Sequence, residues 1–417
     1  MSTRAGKPGT ALRVDPAAAV AAPAEPRIPE LDALRGIAAV VIVIFHSNTR
    51  RMPWGWAAVD LFFVLSGFLF TGLVLRHGGT RGFLPRFYAR RALRIFPIYY
   101  LVILGLVVFG GILPRPNNPN GLLYELTYTQ FVPAYWSGAV PRYSPYLGHT
   151  WTLAIEEQFY LVWPALVLLV GRSRAGVVGL SLATVAGSFA MRSMGFSVAL
   201  LGARADGLAL GGLLAALLTG GDGALKVASR GLRAGLAAVT AASALVLGAL
   251  AAFVGMGVTD AFPRWTGTVV LAFSTLWLGM IGLIVIHSGH PRLAVLRRPR
   301  LRWLGTISYG LYLYHFLVIV ISGDIYRNIG LRGQPLWREA PTIGACFVVA
   351  ALSWKYIEQP ILGLKDRFNY DNHPRRPRVR PGIRVRLRGS RPGVAAARAG
   401  DGSPLRAAGR HLAPAWV

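Results

Sequence analysis

Apolar runs long enough to cross a membrane, separated by short polar or Arg-rich connections, repeat along most of the chain. A spanning helix needs about 20 mostly apolar residues, and ten stretches qualify: 33–49, 57–75, 95–114, 150–170, 175–192, 205–219, 234–257, 265–287, 303–323 and 340–359. The pattern predicts an all-α polytopic membrane protein, a bundle of about ten transmembrane helices. The sixth run is short and the first carries polar groups, so nine and eleven are the neighbouring counts.

The connections give an orientation. The second holds Arg76, Arg81, Arg86, Arg90, Arg91 and Arg94 with no acid, and the eighth holds Arg292, Arg297, Arg298, Arg300 and Arg302. Odd-numbered connections carry fewer cations, although the third is long. Because basic loops stay on the cytoplasmic side, both termini are expected there, in a multi-pass protein of the cytoplasmic (plasma) membrane. Residues 1–30 are rich in Ala and Pro with no apolar run, which predicts a disordered lead-in and not a cleavable secretion signal. Residues 31–362 then form the membrane domain. The stretch 363–417 is an Arg-, Pro- and Gly-rich tail whose acids are Asp366, Asp371 and Asp401. Its charge suits anionic lipid headgroups, and the plainer reading is a solvated segment that reinforces topology.

Composition narrows the classes. Of 417 residues, 53% are hydrophobic and 15% charged, with a mean hydropathy of +0.46, too apolar for an ordinary soluble protein. A formal charge of +28, from 45 Lys+Arg against 17 Asp+Glu, raises nucleic acid as a partner. The spanning runs between the basic clusters make that the minor alternative. One cysteine, Cys346, excludes an intramolecular disulfide. With no Cys-x-x-Cys or His-Glu-x-x-His spacing, no metal site and no bound cofactor is expected.

Ionisable groups at membrane depth are expensive, so each is a functional candidate until a structural partner explains it. In the first span Arg35 and His46 are eleven residues apart, which returns to nearly the same helix face after a rise of about 16 Å. Arg35 would lie near the cytoplasmic surface as a snorkelling anchor or a groove residue. His46 lies beyond mid-membrane, as a proton-transfer group or an interhelical hydrogen bond. Asp60 opens the second span at the level of His46 and either orients that imidazole or caps its helix. Ser66 and Gly67 suit close helix approach. Arg91 and Arg94 share a face and suit phosphate, or serve the topology signal alone. Glu156 and Glu157 enter the span that starts near His149; they lie roughly 100° apart, so both face one pocket only if it is broad. Such acids could bind sugar hydroxyls or pair with Arg. Ser308, Tyr312 and His315 fall on one face of the ninth span, with interhelical bonding the first reading for His315 and substrate contact the second. Asp206 lies near the outer start of its span.

Five segments in order carry a resemblance: Leu31-Asp-Ala-Leu-Arg35-Gly36 ending in His46, Asp60-Leu-Phe-Phe-Val-Leu-Ser-Gly-Phe68, Arg90-Arg91-Ala-Leu-Arg94-Ile-Phe-Pro97, Trp151-Thr-Leu-Ala-Ile-Glu-Glu-Gln-Phe-Tyr160 and Ser308-Tyr-Gly-Leu-Tyr-Leu-Tyr-His315. Over about residues 28–362 the chain resembles the acyltransferase-3 family of integral membrane acyltransferases, which includes bacterial polysaccharide O-acetylases. The resemblance implies a catalytic histidine at His46 with ten residues between it and Arg35, a functional Arg91/Arg94 pair and an acidic pair at Glu156 and Glu157. It also implies a stand-alone membrane domain, without the outer hydrolase-like domain of some relatives. The expected activity is O-acyl transfer, acetyl first, from acyl-CoA (acetyl-CoA) as donor substrate to a carbohydrate or glycolipid hydroxyl. Asp60 or Glu156 would orient His46, Arg35, Arg91 and Arg94 would hold acyl-CoA, and Glu157, Ser308, Tyr312 and His315 would be acceptor or structural groups. A proton-coupled transporter is the alternative; it shares the buried charges but shows no internal repeat. Membrane lipids are expected partners.

Overall fold

The computed structural model describes residues 28–138, 140–220, 228–254, 265–331 and 336–370. The lead-in up to residue 27 and the tail from 371 onward lie outside the described residues. In chain order the helices are α1 (Pro29–Ser47), α2 (Ala58–His77), α3 (Phe83–Phe109), the short α4 (Leu122–Leu126), α5 (Trp151–Leu169), α6 (Arg174–Ser193), α7 (Leu201–Arg204), α8 (Asp206–Leu218), α9 (Arg230–Val254), α10 (Thr266–Ile286), α11 (Pro299–Asn328) and α12 (Leu336–Ser353). A π-helical turn, Trp354–Glu358, and α13 (Gln359–Leu362) prolong the last of these. Among the described residues eight helical segments are long and apolar enough to cross a membrane. The charged α1 and the short α8 occupy the other two predicted positions. The chain is therefore an all-α, multi-pass integral membrane protein.

Two boundaries differ from expectation. The Arg-rich stretch assigned to the second connection is the first half of α3, and the turn before it shrinks to residues 78–82, ending on Gly82 with φ +73°. Leu, Ala and Arg are good helix formers, so the basic run extends the helix instead of looping. The tail also begins later than residue 363. Gly363–Arg367 is a 3₁₀ turn, and Tyr370 is buried, stacked on His77 at 5.1 Å between ring centroids with the Arg90 guanidinium 5.0 Å from its ring centre. Arg90 also donates to the Lys365 and Phe368 carbonyls at 3.4 and 3.3 Å. Aromatic burial and carbonyl capping hold this end down before the Arg/Pro composition takes over.

Two close seams organise the bundle. α1 runs against α11 and α2 against α8, and both contacts depend on glycine. A Cβ on Gly67 would fall on the Leu208 carbonyl, and one on Gly305 on the Asp32 carbonyl. Small residues let membrane helices approach this closely, where packing replaces the hydrophobic effect as the driving force. The α1–α11 seam matters most for function because it brings the His46 helix and the His315 helix side by side. Gly67→Val should lower stability by about 1–3 kcal/mol through overpacking, seen as a reduced melting temperature in detergent. Gly179→Val, where a Cβ meets nothing within 4 Å, should melt near the wild-type temperature.

Candidate active site

Between α1, α2, α3, α5 and α11 lies a cavity of about 80 Å³, room for several waters or a slender chain. Its wall holds Arg35, Arg91, Arg94 and Glu156, with Ser308 and Tyr312 opposite. Three guanidinium groups against one carboxylate make the lining favourable to anions and to developing negative charge. Arg91 and Arg94 both reach it because they are three residues apart on α3. The Arg91 guanidinium lies 3.5 Å from the Phe70 ring centre and 4.9 Å from that of Tyr160, so aromatic faces fix its plane. Arg91 also lines a smaller cleft with Arg90, Lys365 and Tyr370. Glu156 accepts a 2.9 Å bond from Ser66, which accounts for a serine beside the close-packing Gly67.

Past the end of this cavity, marked by Ile42 and Tyr312, stands a histidine pair. His315 Nε2 is 3.1 Å from His46 Nδ1. His315 Nδ1 lies 3.2 Å from the Leu311 carbonyl and 2.5 Å from that of Tyr312. Only a protonated Nδ1 can donate there, so the neutral His315 ring has its lone pair on Nε2. That lone pair accepts the Nδ1–H of His46, which is shared with the Ile42 carbonyl at 3.1 Å. His46 is thereby left with an unprotonated Nε2, the state of a general base. His315 is buried and His46 half-buried; the His46 ring turns toward α11, its centroid 5.2 Å from that of Phe316.

Not every expected site residue joins this group. Asp60 does not orient His46. Its Oδ1 pairs with Arg204 at 2.6 Å and accepts from Ser274 at 3.0 Å, because a carboxylate with no exposed surface is held by the nearest guanidinium. Arg192 and Asp206, 2.7 Å apart, complete a buried quartet of two acids and two cations linking α2, α6, α7 and α8. Glu156 likewise makes no bond to His46; it lines the cavity with the arginines. Glu157 is on a different side of α5 from the cavity wall, as its 100° offset requires. Ser308 gives its hydroxyl to the Gly305 carbonyl at 2.9 Å, while Tyr312 donates to the His149 carbonyl at 2.7 Å and meets Thr152 Oγ1 at 2.7 Å.

Four contributors escaped sequence reasoning. His149 is buried, with its ring centroid 4.9 Å from that of His315; a histidine at the mouth of the span carrying Glu156, level with His46, was the available signal. Arg192 and Arg204, each near a helix end, looked like interfacial cations and are instead interior ones. Glu125, outside the spans, accepts from Tyr99 at 3.2 Å and Thr150 at 3.3 Å, tying the entry of α5 and so His149 in place. Burial pushes its carboxyl up to about 7 from an ordinary 4.5, against the opposing effect of those bonds.

Residues 28–356 match the family described as Acyltransferase domain, and the chain belongs to this acyltransferase-3 family. It is 28% identical over 362 residues to the peptidoglycan O-acetyltransferase OatA of Listeria monocytogenes, covering 80% of this chain and 56% of that protein. It is 29% identical over 357 residues to YrhL of Bacillus subtilis, named as a candidate peptidoglycan O-acetyltransferase, covering 80% and 55%. A Staphylococcus aureus protein named as a candidate O-acetyltransferase is 26% identical over 374 residues, covering 80% and 57%. The chain thus spans a little over half the length of the curated relatives it matches. No solved structure matches it.

The nitrogen assignments are measurable. In ¹⁵N-histidine spectra His46 should carry its proton on Nδ1, and His315→Ala should move it toward the Nε2–H form; an unchanged tautomer would remove His315 from this role. For Glu125 the folded state holds the proton more tightly than the unfolded one. Its contribution to stability is therefore complete below about pH 4.5 and is lost as pH rises through about 7, with a slope of at most about 1.4 kcal/mol per pH unit. Glu125→Gln should flatten the melting temperature across that window.

Proposed function

We propose that this protein moves an acyl group, acetyl first, from acyl-CoA on the cytoplasmic side to a hydroxyl of a carbohydrate or glycolipid acceptor on the far side of the cytoplasmic membrane. The observation that carries the reading is the His46–His315 contact at the end of a cavity walled by Arg35, Arg91, Arg94 and Glu156. The Arg distribution along the chain supports cytoplasmic termini, which puts the arginine end of the cavity toward the donor. The relatives, O-acetyltransferases named for peptidoglycan, support acetyl as the group and an envelope glycan as the acceptor class.

In this scheme donor phosphates meet Arg91 and Arg94, and the narrow cavity admits the extended thioester arm while excluding the nucleotide. His46 Nε2 takes the proton of the acceptor hydroxyl as its oxygen attacks the thioester carbonyl. The carbon–oxygen bond forms, the carbon–sulfur bond breaks, and the departing CoA thiolate recovers the proton from the imidazolium. His315 holds His46 in the required tautomer throughout.

Purified protein should release free CoA from acetyl-CoA when given an acceptor. His46→Ala should reduce that release by about 10²–10⁴-fold, the usual share of a general base, with unchanged elution and melting. Arg91→Gln should raise KM for acetyl-CoA about tenfold, the loss of one charge-assisted contact, more than it lowers kcat. Undiminished turnover in the folded His46→Ala protein would refute the scheme.

A further inference from the structure

A second and wider space opens beyond the histidine pair. It measures about 630 Å³ and is lined by Arg115, Tyr326, Arg327, Arg338 and Glu339, a size typical of small-molecule sites. Ser47, the neighbour of His46 in sequence, and Ile319, one helical turn beyond His315, also line it. Along α1 and α11 the histidine pair thus lies between residues that line the narrow arginine-walled cavity, Ile42 and Tyr312, and residues that line this vestibule, Ser47 and Ile319.

The vestibule has layered charge. Glu339 lines it, and Asp324 is held by the lining Arg115 and Arg327; the Asp324 and Glu339 side chains are only 3% and 6% exposed, whereas their partners Arg115, Arg327 and Arg51 are 40%, 58% and 46% exposed. Arg115 bonds Asp324 at 3.1 Å, Arg327 pairs with the same carboxylate, and Arg51 bonds Glu339 at 2.7 Å. The Arg338 guanidinium lies flat over the Tyr326 ring, 4.4 Å from its centre. Three partly exposed guanidinium groups thus answer two buried carboxylates, and two of the three, Arg115 and Arg327, line the open space. A neutral sugar would need no such surplus. Half-exposed guanidinium forks with donors left over are suited to a carboxylate or phosphate held bidentately.

We infer that this vestibule is the acceptor site and that the acceptor is a hydroxyl compound bearing an acidic group, a sugar carboxylate or a sugar phosphate, anchored by Arg115 and Arg327 so that its hydroxyl reaches His46. The assignment of the hydroxyl as acceptor rests on the acyl-transfer reading; the anionic binding preference does not. Gly323 of α11 lines the same space, and a Cβ there meets nothing within 4 Å, so a larger side chain fills the vestibule without disturbing the helix.

The test is binding to the full chain in lipid nanodiscs, by calorimetry, with three probes: p-nitrophenyl glucoside, p-nitrophenyl glucuronide and glucose 1-phosphate. At least one anionic probe should bind ten times more tightly than the glucoside, and the tighter of the two identifies carboxylate or phosphate as the natural group. Arg327→Gln should shrink that preference three- to tenfold while the protein keeps its melting temperature, since Arg115 still neutralises Asp324. Gly323→Leu should weaken all three probes at least tenfold. Equal binding of charged and neutral probes, no measurable anionic binding, or indifference to Gly323→Leu overturns the proposal. The same measurements in His46→Ala keep the two ideas apart: lost CoA release with the anionic preference intact is expected of both, whereas undiminished release with that preference intact sinks acyl transfer and leaves the anion site standing.

Discussion

Charge placed at membrane depth has to be answered by opposite charge or by hydrogen bonds, because hydrocarbon offers no solvent to do it. This chain meets the constraint in two distinct ways. Around Asp60 the charges balance: Arg204, Arg192 and Asp206 close a neutral quartet with almost no exposed surface. Arg35, Arg91 and Arg94 instead border a cavity, with Glu156 on the same wall. A closed network ties helices together, since removing one member would leave a buried charge uncompensated, at about 3–5 kcal/mol. A cluster that borders a cavity can also meet a ligand.

The histidine pair depends on the same logic at smaller scale. Neither imidazole has a carboxylate beside it, so neither is held as a cation. His315 is fixed by the backbone carbonyls of its own helix, which any helical histidine can find, and it passes that constraint across the α1–α11 seam to His46. The seam is narrow enough only because Gly305 admits the Asp32 carbonyl. A backbone requirement of one helix therefore reaches the ring nitrogens of another.

Much of this was legible in the chain. Eight of the ten predicted spans recur as helices long and apolar enough to cross a membrane, because membrane thickness imposes a ruler on sequence, and Arg91 with Arg94, or Ser308 with Tyr312 and His315, were placed together by helical periodicity alone. What periodicity cannot supply is the partner across a seam. Asp60 had two plausible neighbours at its level, His46 on α1 and Arg204 on the α7–α8 corner, and only the packing of α2 on α8 through Gly67 decides for Arg204. His149 was overlooked for a related reason: it precedes its span, where a histidine looks interfacial, until Glu125 and Thr150 draw that segment inward. The basic run 83–94 was misread because positive charge marks the cytoplasmic side without saying whether the backbone there is helix or loop.

The two compartments differ in a way that bears on direction. The inner cavity is narrow, has a wall shared by aromatic and guanidinium groups, and continues through Arg91 to a cleft with Arg90 and Lys365. The outer vestibule is several times larger, with its acids buried beneath exposed cations. A thin flexible arm is suited to the first and a rigid polar ring to the second. If both were wide, water and ions would share a path past His46, and a reactive thioester would meet water as readily as an alcohol. On the acyl-transfer reading proposed above, confining the width to one side lets the imidazole pair serve as partition as well as base, so that one feature both keeps the membrane closed and brings the two reactants to a single nitrogen.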